Sequence, residues 1–134
     1  MQTRRMMRTK HVERAWRYVI LLLSLSSMMA CGATQVQTMQ QQWQREEYGW
    51  LAEQEVTCTE RSENCGYQHL LKGEACFVVG QRSAKGRDAY MCAAHHLTRA
   101  LERITEWEAN PTALSRLDVY EHTCRAYGNL IDVS

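Results

Sequence analysis

The sequence contains only one proline and seven glycines in 134 residues, which excludes a collagen-like or a low-complexity chain. Its length allows one small domain and leaves no room for a second, catalytic one. It has no Gly-x-Ser-x-Gly nucleophile elbow and no glycine-rich phosphate loop. Since 45% of the residues are hydrophobic and 23% are charged, the composition predicts an ordinary folded domain. We expect neither an enzyme activity nor a cofactor.

The apolar run near the start of the chain is too short to span a membrane. Residues 18–30 carry no charge, but thirteen residues fall short of the ~20 needed to cross a bilayer. They follow a basic stretch, residues 1–17, which has six Arg and Lys side chains against the single acidic residue Glu13. A basic start followed by a short apolar core is typical of a secretory signal, so we expect residues 1–30 to be a signal peptide.

The end of this segment, Met28-Met29-Ala30-Cys31, places a small residue and then a cysteine directly after the apolar core. It resembles the cleavage site of bacterial lipoproteins. In that family the cysteine becomes the new N-terminus and carries lipid, palmitate included. The resemblance implies lipidation of Cys31, and Gly32 at the next position implies export to the outer membrane of a Gram-negative bacterium, facing the periplasm. An ordinary cleaved signal and an uncleaved anchor are the alternatives.

Removal of the signal changes the charge of the protein. Residues 32–134 contain ten Lys and Arg residues and fourteen Asp and Glu residues, a formal charge of −4 with neutral histidines. Nucleic-acid binding requires clustered basic side chains, which this part of the chain lacks, so we expect no nucleic-acid partner. The expected partners are the membrane, through the lipid, and another envelope protein or peptide.

The spacing of apolar residues predicts an all-α domain over residues 39–134, after a tether of residues 31–38. We expect about four amphipathic helices in antiparallel hairpins. The first runs from about residue 39 to Val56, and the second from about Cys65 to Gly80. The third carries a regular apolar stripe around Leu97. The fourth starts at Asn110-Pro111, an N-cap followed by a proline at the first helical position. Its expected apolar face is Leu117, Tyr120, Cys124, Tyr127 and Ile131.

Small residues recur at helical spacing in residues 66–111, which resemble a tetratricopeptide repeat. Gly73 and Gly80 stand at the small position and the turn of the first repeat helix. Ala93, Leu97 and Ala100 give the small, large and small residues of the second. The resemblance implies a helical hairpin that serves as a scaffold for protein or peptide recognition. An unrelated four-helix domain is the alternative.

With Cys31 lipidated, an odd number of cysteines remains, and two disulfides with one free thiol can be drawn in about fifteen ways. The candidates are Cys58, Cys65, Cys76, Cys92 and Cys124. Two pairs are favoured. Cys58–Cys65 would close the break between the first two helices, and Cys76–Cys92 would join the two helices of the hairpin. Cys124 is then expected to be a thiol shielded within an apolar face.

Two other functions start from Cys92. It precedes His96 by four residues, a spacing at which two side chains on one helix can share a metal ion. A metal- or haem-binding periplasmic protein is therefore the first alternative to the scaffold, although no other pair completes a tetrahedral set. A thiol-dependent enzyme that uses Cys92 with His95 or His96 is the second. Our main prediction includes no metal and no catalytic residue.

The lipidation hypothesis predicts the behaviour of one variant. Cys31→Ser lacks the thiol that would carry lipid, so the protein should remain uncleaved or become soluble. Fractionation of the cell envelope and the N-terminal mass of the purified protein measure both outcomes. Unchanged partition together with an unchanged N-terminal mass would rule out lipidation at Cys31.

Overall fold

The computed structural model describes residues 13–20, 31–59, 61, 62, 64–84, 86–109 and 114–132. Within these ranges the chain forms no β-strand, and the all-α prediction is confirmed. Residues 13–20 are helical. The other elements are α1 (Cys31–Gln44), α2 (Tyr48–Glu53), α3 (Cys65–Arg82), α4 (Arg87–Leu101), a 3-10 turn (Ile104–Glu106) and α5 (Arg116–Asp132).

The chain divides into two compact units, Met1–Gln35 and Val36–Ser134. In the first unit, residues 13–20 and the start of α1 are described, whereas the other residues of the expected signal peptide, 1–12 and 21–30, lie outside the described ranges. None of the described helices is long and apolar enough to cross a membrane. Helix α1 begins at Cys31, so the segment interpreted as a tether is helical.

Helices α3 and α4 form the centre of the second unit and run antiparallel. Their pairing shows the direction, since Cys76 is bonded to Cys92 while Gly80, further along α3, meets the earlier residue Tyr90. A Cβ atom at Gly73 would lie 2.7 Å from Leu97 Cδ2 and 2.9 Å from Leu97 N, so the two backbones cross without room for a side chain. The hairpin expected from residues 66–111 is therefore present, while its kinship with a tetratricopeptide repeat stays a prediction.

The core forms where this hairpin meets α2 and α5, which pack against α3 and α4 respectively. Leu70, Leu71, Ala93 and Leu97 are fully buried at the crossing. Trp107 is also fully buried, and its indole N–H donates a 2.8 Å hydrogen bond to the carbonyl oxygen of Ala100. The same carbonyl also accepts a 3.1 Å hydrogen bond from the Arg103 N–H, so two donors meet it at the end of α4. The sequence analysis missed Trp107 because it follows the amphipathic stripe.

The first predicted helix, from about residue 39 to Val56, is wrong as a continuous element. Helix α1 ends at Gln44 in a Schellman arrangement: Glu47 N–H donates to Gln42 O over 2.9 Å and Glu46 N–H donates to Trp43 O over 3.1 Å. Glu46 has φ of 58°, the left-handed conformation that this ending requires. Glycine is the usual residue there, so a glutamate gave no signal that the helix stops.

The predicted start of the last helix at Asn110-Pro111 is also wrong. Residues 110–113 lie outside the described ranges, but Leu114 and Ser115 are not helical and α5 begins at Arg116. Ser115 and Asp118 form a reciprocal capping box. The backbone N–H and the hydroxyl of Ser115 donate to Asp118 Oδ2 over 3.0 and 2.7 Å, and Asp118 N–H donates to Ser115 Oγ over 3.2 Å. The pattern Ser-x-x-Asp by itself predicts the start of a helix. The prediction followed the Asn-Pro pattern instead, because that is the stronger helix-start signal.

The face of α5 that packs against the core is not the predicted one. Val119, Thr123 and Ala126 are buried. The Thr123 hydroxyl donates to Val119 O over 2.6 Å, so its burial leaves no unsatisfied polar group. The residues expected to be buried are instead exposed, namely Leu117, Tyr120, Cys124, Tyr127 and Ile131. The spacing of apolar residues predicted a stripe on this helix. The face that packs against the core is instead the one with small side chains.

The close crossing predicts opposite effects of one substitution at two glycines. Gly73→Ala should lower the free energy of unfolding by about 1–3 kcal/mol, because Leu97 leaves no space for the methyl group. Gly128→Ala in α5 is the matched control: nothing lies within 4 Å of its added Cβ, so it should raise stability by about 0.4–1 kcal/mol. Equilibrium denaturation followed by circular dichroism measures both. Equal effects at the two sites would contradict a close crossing at Gly73.

Candidate functional site

A cleft of about 470 Å³ opens beside the N-terminal end of α3 and the C-terminal half of α4. It combines two bonded cysteines with imidazole, guanidinium and carboxylate groups. The lining residues are Cys58, Cys65, His69, His95, Arg99, Glu102 and Arg103. Three of these residues, Cys58, Cys65 and His95, were already candidates in the sequence, and the cleft brings them together with His69. It is therefore the candidate site.

One wall of the cleft is the disulfide Cys58–Cys65, whose Cα atoms are 5.4 Å apart. It ties the non-helical stretch of residues 54–59 to the first residue of α3. His69 follows Cys65 by one helical turn, so both side chains lie on the same side of α3. One ring nitrogen of His69 and the two sulfur atoms all lie within 4.8 Å of one another. The three atoms are therefore close enough to contact a single ion or small ligand.

Three histidines meet at this end of the hairpin. The Nδ1 atoms of His69 and His96 are 2.8 Å apart, and their rings stack with centroids 5.0 Å apart. The ring of His95 approaches that of His96 edge-on, at 4.9 Å. A hydrogen bond between two Nδ1 atoms needs one donor and one acceptor, so at least one of these two imidazoles is neutral.

The surroundings hold this pair of histidines in the neutral form. Burial, together with the nearby His69, Lys72 and His95, lowers the pKa of His96 to about 3. Burial also lowers the pKa of His69, with further contributions from His95, Arg99 and Arg103. At neutral pH His69 and His96 are therefore uncharged, the form in which histidine binds metals.

Acidic side chains offset the two arginines of the cleft. Arg103 Nε donates to Glu106 Oε1 over 2.7 Å, and Arg99 lies 3.4 Å from the carboxylate of Glu102. Glu106 also accepts a 2.6 Å hydrogen bond at Oε2 from the Gly66 N–H, one of the free donors at the start of α3. A Cβ at Gly66 would lie 2.8 Å from both Arg103 Cβ and Glu106 Oε2, so this contact requires glycine.

The second disulfide, Cys76–Cys92, joins α3 to α4 with Cα atoms 5.9 Å apart. The structure thus forms both cysteine pairs that the sequence analysis favoured. It does not assemble the alternative metal pair Cys92 and His96, because the sulfur of Cys92 is bonded to Cys76 and His96 faces His69. A catalytic thiol at Cys92 is absent for the same reason. Cys124 is a free thiol as expected, but the prediction that it is shielded is wrong, because Cys124 is exposed.

A buried carboxylate and histidine, which the sequence analysis missed, join α3 to α5. His122 Nδ1 lies 2.7 Å from Glu74 Oε2, and the side chain of Glu74 is 2% exposed. Phe77 stacks on the His122 ring, with centroids 4.5 Å apart. Burial raises the pKa of Glu74, and the hydrogen bond to Glu74 raises the pKa of His122. No periodic signal marks such a pair, since its members are 48 residues apart.

Comparison of the chain with protein-family models, with curated proteins and with solved structures found no match.

The pair of Glu74 and His122 predicts how stability changes with pH. Both raised pKa values mean that the folded chain holds protons more tightly than the unfolded chain. The contribution of His122 is fully present below its unfolded pKa of about 6.5 and is lost as the pH rises through its raised folded pKa. His122→Gln should therefore cost more stability at pH about 6 than at pH about 8.5.

Denaturation of wild type and His122→Gln at both pH values measures this difference. The comparison with wild type is needed because His69 and His96 have lowered pKa values in the folded chain. Their contribution to the pH dependence of stability is therefore opposite in sign to that of His122. Glu74→Gln should reduce the pH dependence in the same way as His122→Gln. A stability difference that stays constant between the two pH values would show that the pair does not titrate as described.

Proposed function

We propose that this chain is an exported envelope protein, lipid-anchored at Cys31, whose helical domain binds another envelope protein. Two disulfides support export, because such bonds form and persist in oxidising compartments. The helical residues 13–20 are all exposed, Trp16 and Ile20 among them, as expected for the part of a signal segment that leads into its apolar core. The bacterial outer membrane, facing the periplasm, is the proposed location.

The observation that carries the binding function is the outer face of α5, defined as Leu117, Tyr120, Cys124, Tyr127 and Ile131. Leu117 is 76% exposed and Ile131 is 73% exposed, while both tyrosines are about half exposed. The five residues follow one another at intervals of three and four, so they form one stripe along the helix. A rimmed apolar stripe on a small domain is typical of a protein-interaction surface.

The charges beside this face favour a helix of a partner protein as its occupant. Arg125 is ion-paired with Glu121 over 2.7 Å, and Arg116 is ion-paired with Glu108 over 2.9 Å. A helix that lies on an anionic membrane surface carries basic side chains on its polar face, and here the two arginines of α5 are offset by glutamates. An apolar stripe at three- and four-residue spacing is complementary to the same stripe on another helix.

The free thiol of Cys124 makes this proposal testable in the intact envelope. A photoreactive cross-linker attached to Cys124 sits at the centre of the outer face of α5 and should join the protein to its partner on illumination. Leu117→Asp should abolish the adduct by placing a charge in the stripe. Met91→Asp is the matched control, because Met91 is an exposed apolar residue of α4 outside the stripe, and it should leave the adduct unchanged.

The mass and peptide composition of the adduct distinguish the possible occupants. An adduct with one other envelope protein, cross-linked through a helical peptide and lost in Leu117→Asp, supports the proposal. An adduct of two copies of this chain would replace the partner with self-association. Labelling of lipid alone, or an adduct that Leu117→Asp leaves intact, would overturn the proposed role of the outer face of α5.

A further inference from the structure

We propose that the cleft is a redox-gated Zn²⁺ site, in which Cys58, Cys65, His69 and His95 bind the ion once the Cys58–Cys65 disulfide is reduced. The site lies on α3, α4 and the stretch of residues 54–59, so the proposal does not depend on the outer face of α5. Two cysteines and two histidines favour Zn²⁺ over other ions, because structural zinc sites are tetrahedral and use these ligands.

Three potential ligand atoms of the cleft lie close together. The sulfurs of Cys58 and Cys65 and a ring nitrogen of His69 lie within 4.8 Å of one another. Zn–S bonds of about 2.3 Å and Zn–N bonds of about 2.0–2.1 Å give tetrahedral ligand separations of roughly 3.4–3.8 Å. Once the sulfur–sulfur bond opens, small shifts of these side chains bring the three atoms to that range. Among the described residues, no second group of three His, Cys, Asp or Glu side chains meets this condition.

The backbone holds these ligands in two different ways. Cys65 and His69 are one turn apart on α3, so their spacing is fixed by the helix. Cys58 lies in the non-helical stretch of residues 54–59 and is only half-buried. Two sulfurs that bind one zinc ion lie further apart than two bonded sulfurs. Cys58 can therefore move away from Cys65 to that larger distance without disturbing the hairpin.

The histidines supply the remaining ligand and its support. His95 lies on α4 and lines the same cleft as Cys58, Cys65 and His69. The Nδ1 atom of His69 is engaged by His96 at 2.8 Å, which leaves Nε2 for the ion and fixes the orientation of the ring. Metal-binding histidines characteristically use their second nitrogen in such a supporting hydrogen bond. His96 is thus a positioning residue for the site.

The charges of the cleft suit the reduced form. Two thiolates balance the charge of Zn²⁺, and the two imidazoles are neutral ligands. Arg99 and Arg103 line the same cleft. Because each arginine already has a glutamate partner, Glu102 or Glu106, the arginines do not leave a net positive charge that would repel the ion.

The gating step is a thiol–disulfide exchange. A dithiol reductant donates two electrons, the Cys58–Cys65 bond breaks, and the reductant becomes a disulfide while both cysteines become thiols. Binding of Zn²⁺ then releases the two thiol protons to water. Exchange with the disulfide form of the same reductant, which takes up two electrons and two protons to become a dithiol, re-forms the Cys58–Cys65 bond and releases Zn²⁺. The bonded and zinc-loaded forms therefore exclude each other. The ion should therefore make this disulfide easier to reduce.

The test uses the full chain purified from the envelope. Under anaerobic conditions it is reduced with an immobilised dithiol, separated from the reductant and titrated with Zn²⁺, and with Co²⁺ as an optical probe of thiolate ligation. Helicity is followed by circular dichroism. We expect one Zn²⁺ per reduced chain, at least about 100-fold weaker binding by the oxidised chain, and at least about 10-fold weaker binding by reduced His95→Gln.

The two disulfides provide matched variants. Cys58→Ser with Cys65→Ser should abolish uptake by the reduced chain, whereas Cys76→Ser with Cys92→Ser, which removes the other disulfide, should retain it. Equal uptake by both double variants would overturn the site. So would the absence of stoichiometric zinc in the reduced wild-type chain, whether or not its helicity is maintained. Loss of the Cys124 adduct described above bears on the partner surface and leaves this result unaffected.

Discussion

The close crossing of α3 and α4 is the contact on which the rest of the structure depends. At Gly73 the backbone of α3 lies against Leu97 so tightly that a methyl group would collide with it. The Cys76–Cys92 disulfide fixes the same two helices a short distance away. Since α2 packs on α3 and α5 packs on α4, both outer layers take their positions from this pair.

The cleft is a consequence of the same crossing. The antiparallel direction brings the start of α3 beside the end of α4, so that His69 meets His96 and Gly66 meets Arg103. The Cys58–Cys65 disulfide then folds the preceding stretch over this end. The cleft therefore takes Cys65, His69 and His95 from two helices and Cys58 from a non-helical stretch.

A different interaction joins α3 to α5. Glu74 is buried in the core and is compensated by His122 of α5, on which Phe77 stacks. Burying a carboxylate is costly unless it is paired, so this contact and the close packing of the small side chains favour the same face of α5 as the inward one. The apolar outer face of α5 remains exposed as a result. The partner surface that we propose is thus linked to the orientation that the buried pair favours.

The sequence by itself determined the helical class, because this follows from the local spacing of apolar residues. It indicated the hairpin around Gly73 and Leu97 and favoured the two cysteine pairs without fixing them. It also contained the Ser115 cap, although a stronger signal obscured it. The end of α1 at Gln44 is set by local hydrogen bonds around Glu46, a residue type that gives no signal of it. Only the tertiary structure decided the inward face of α5 and the meeting of His69 with His96. Each of these depends on contacts between distant residues, which periodicity does not encode.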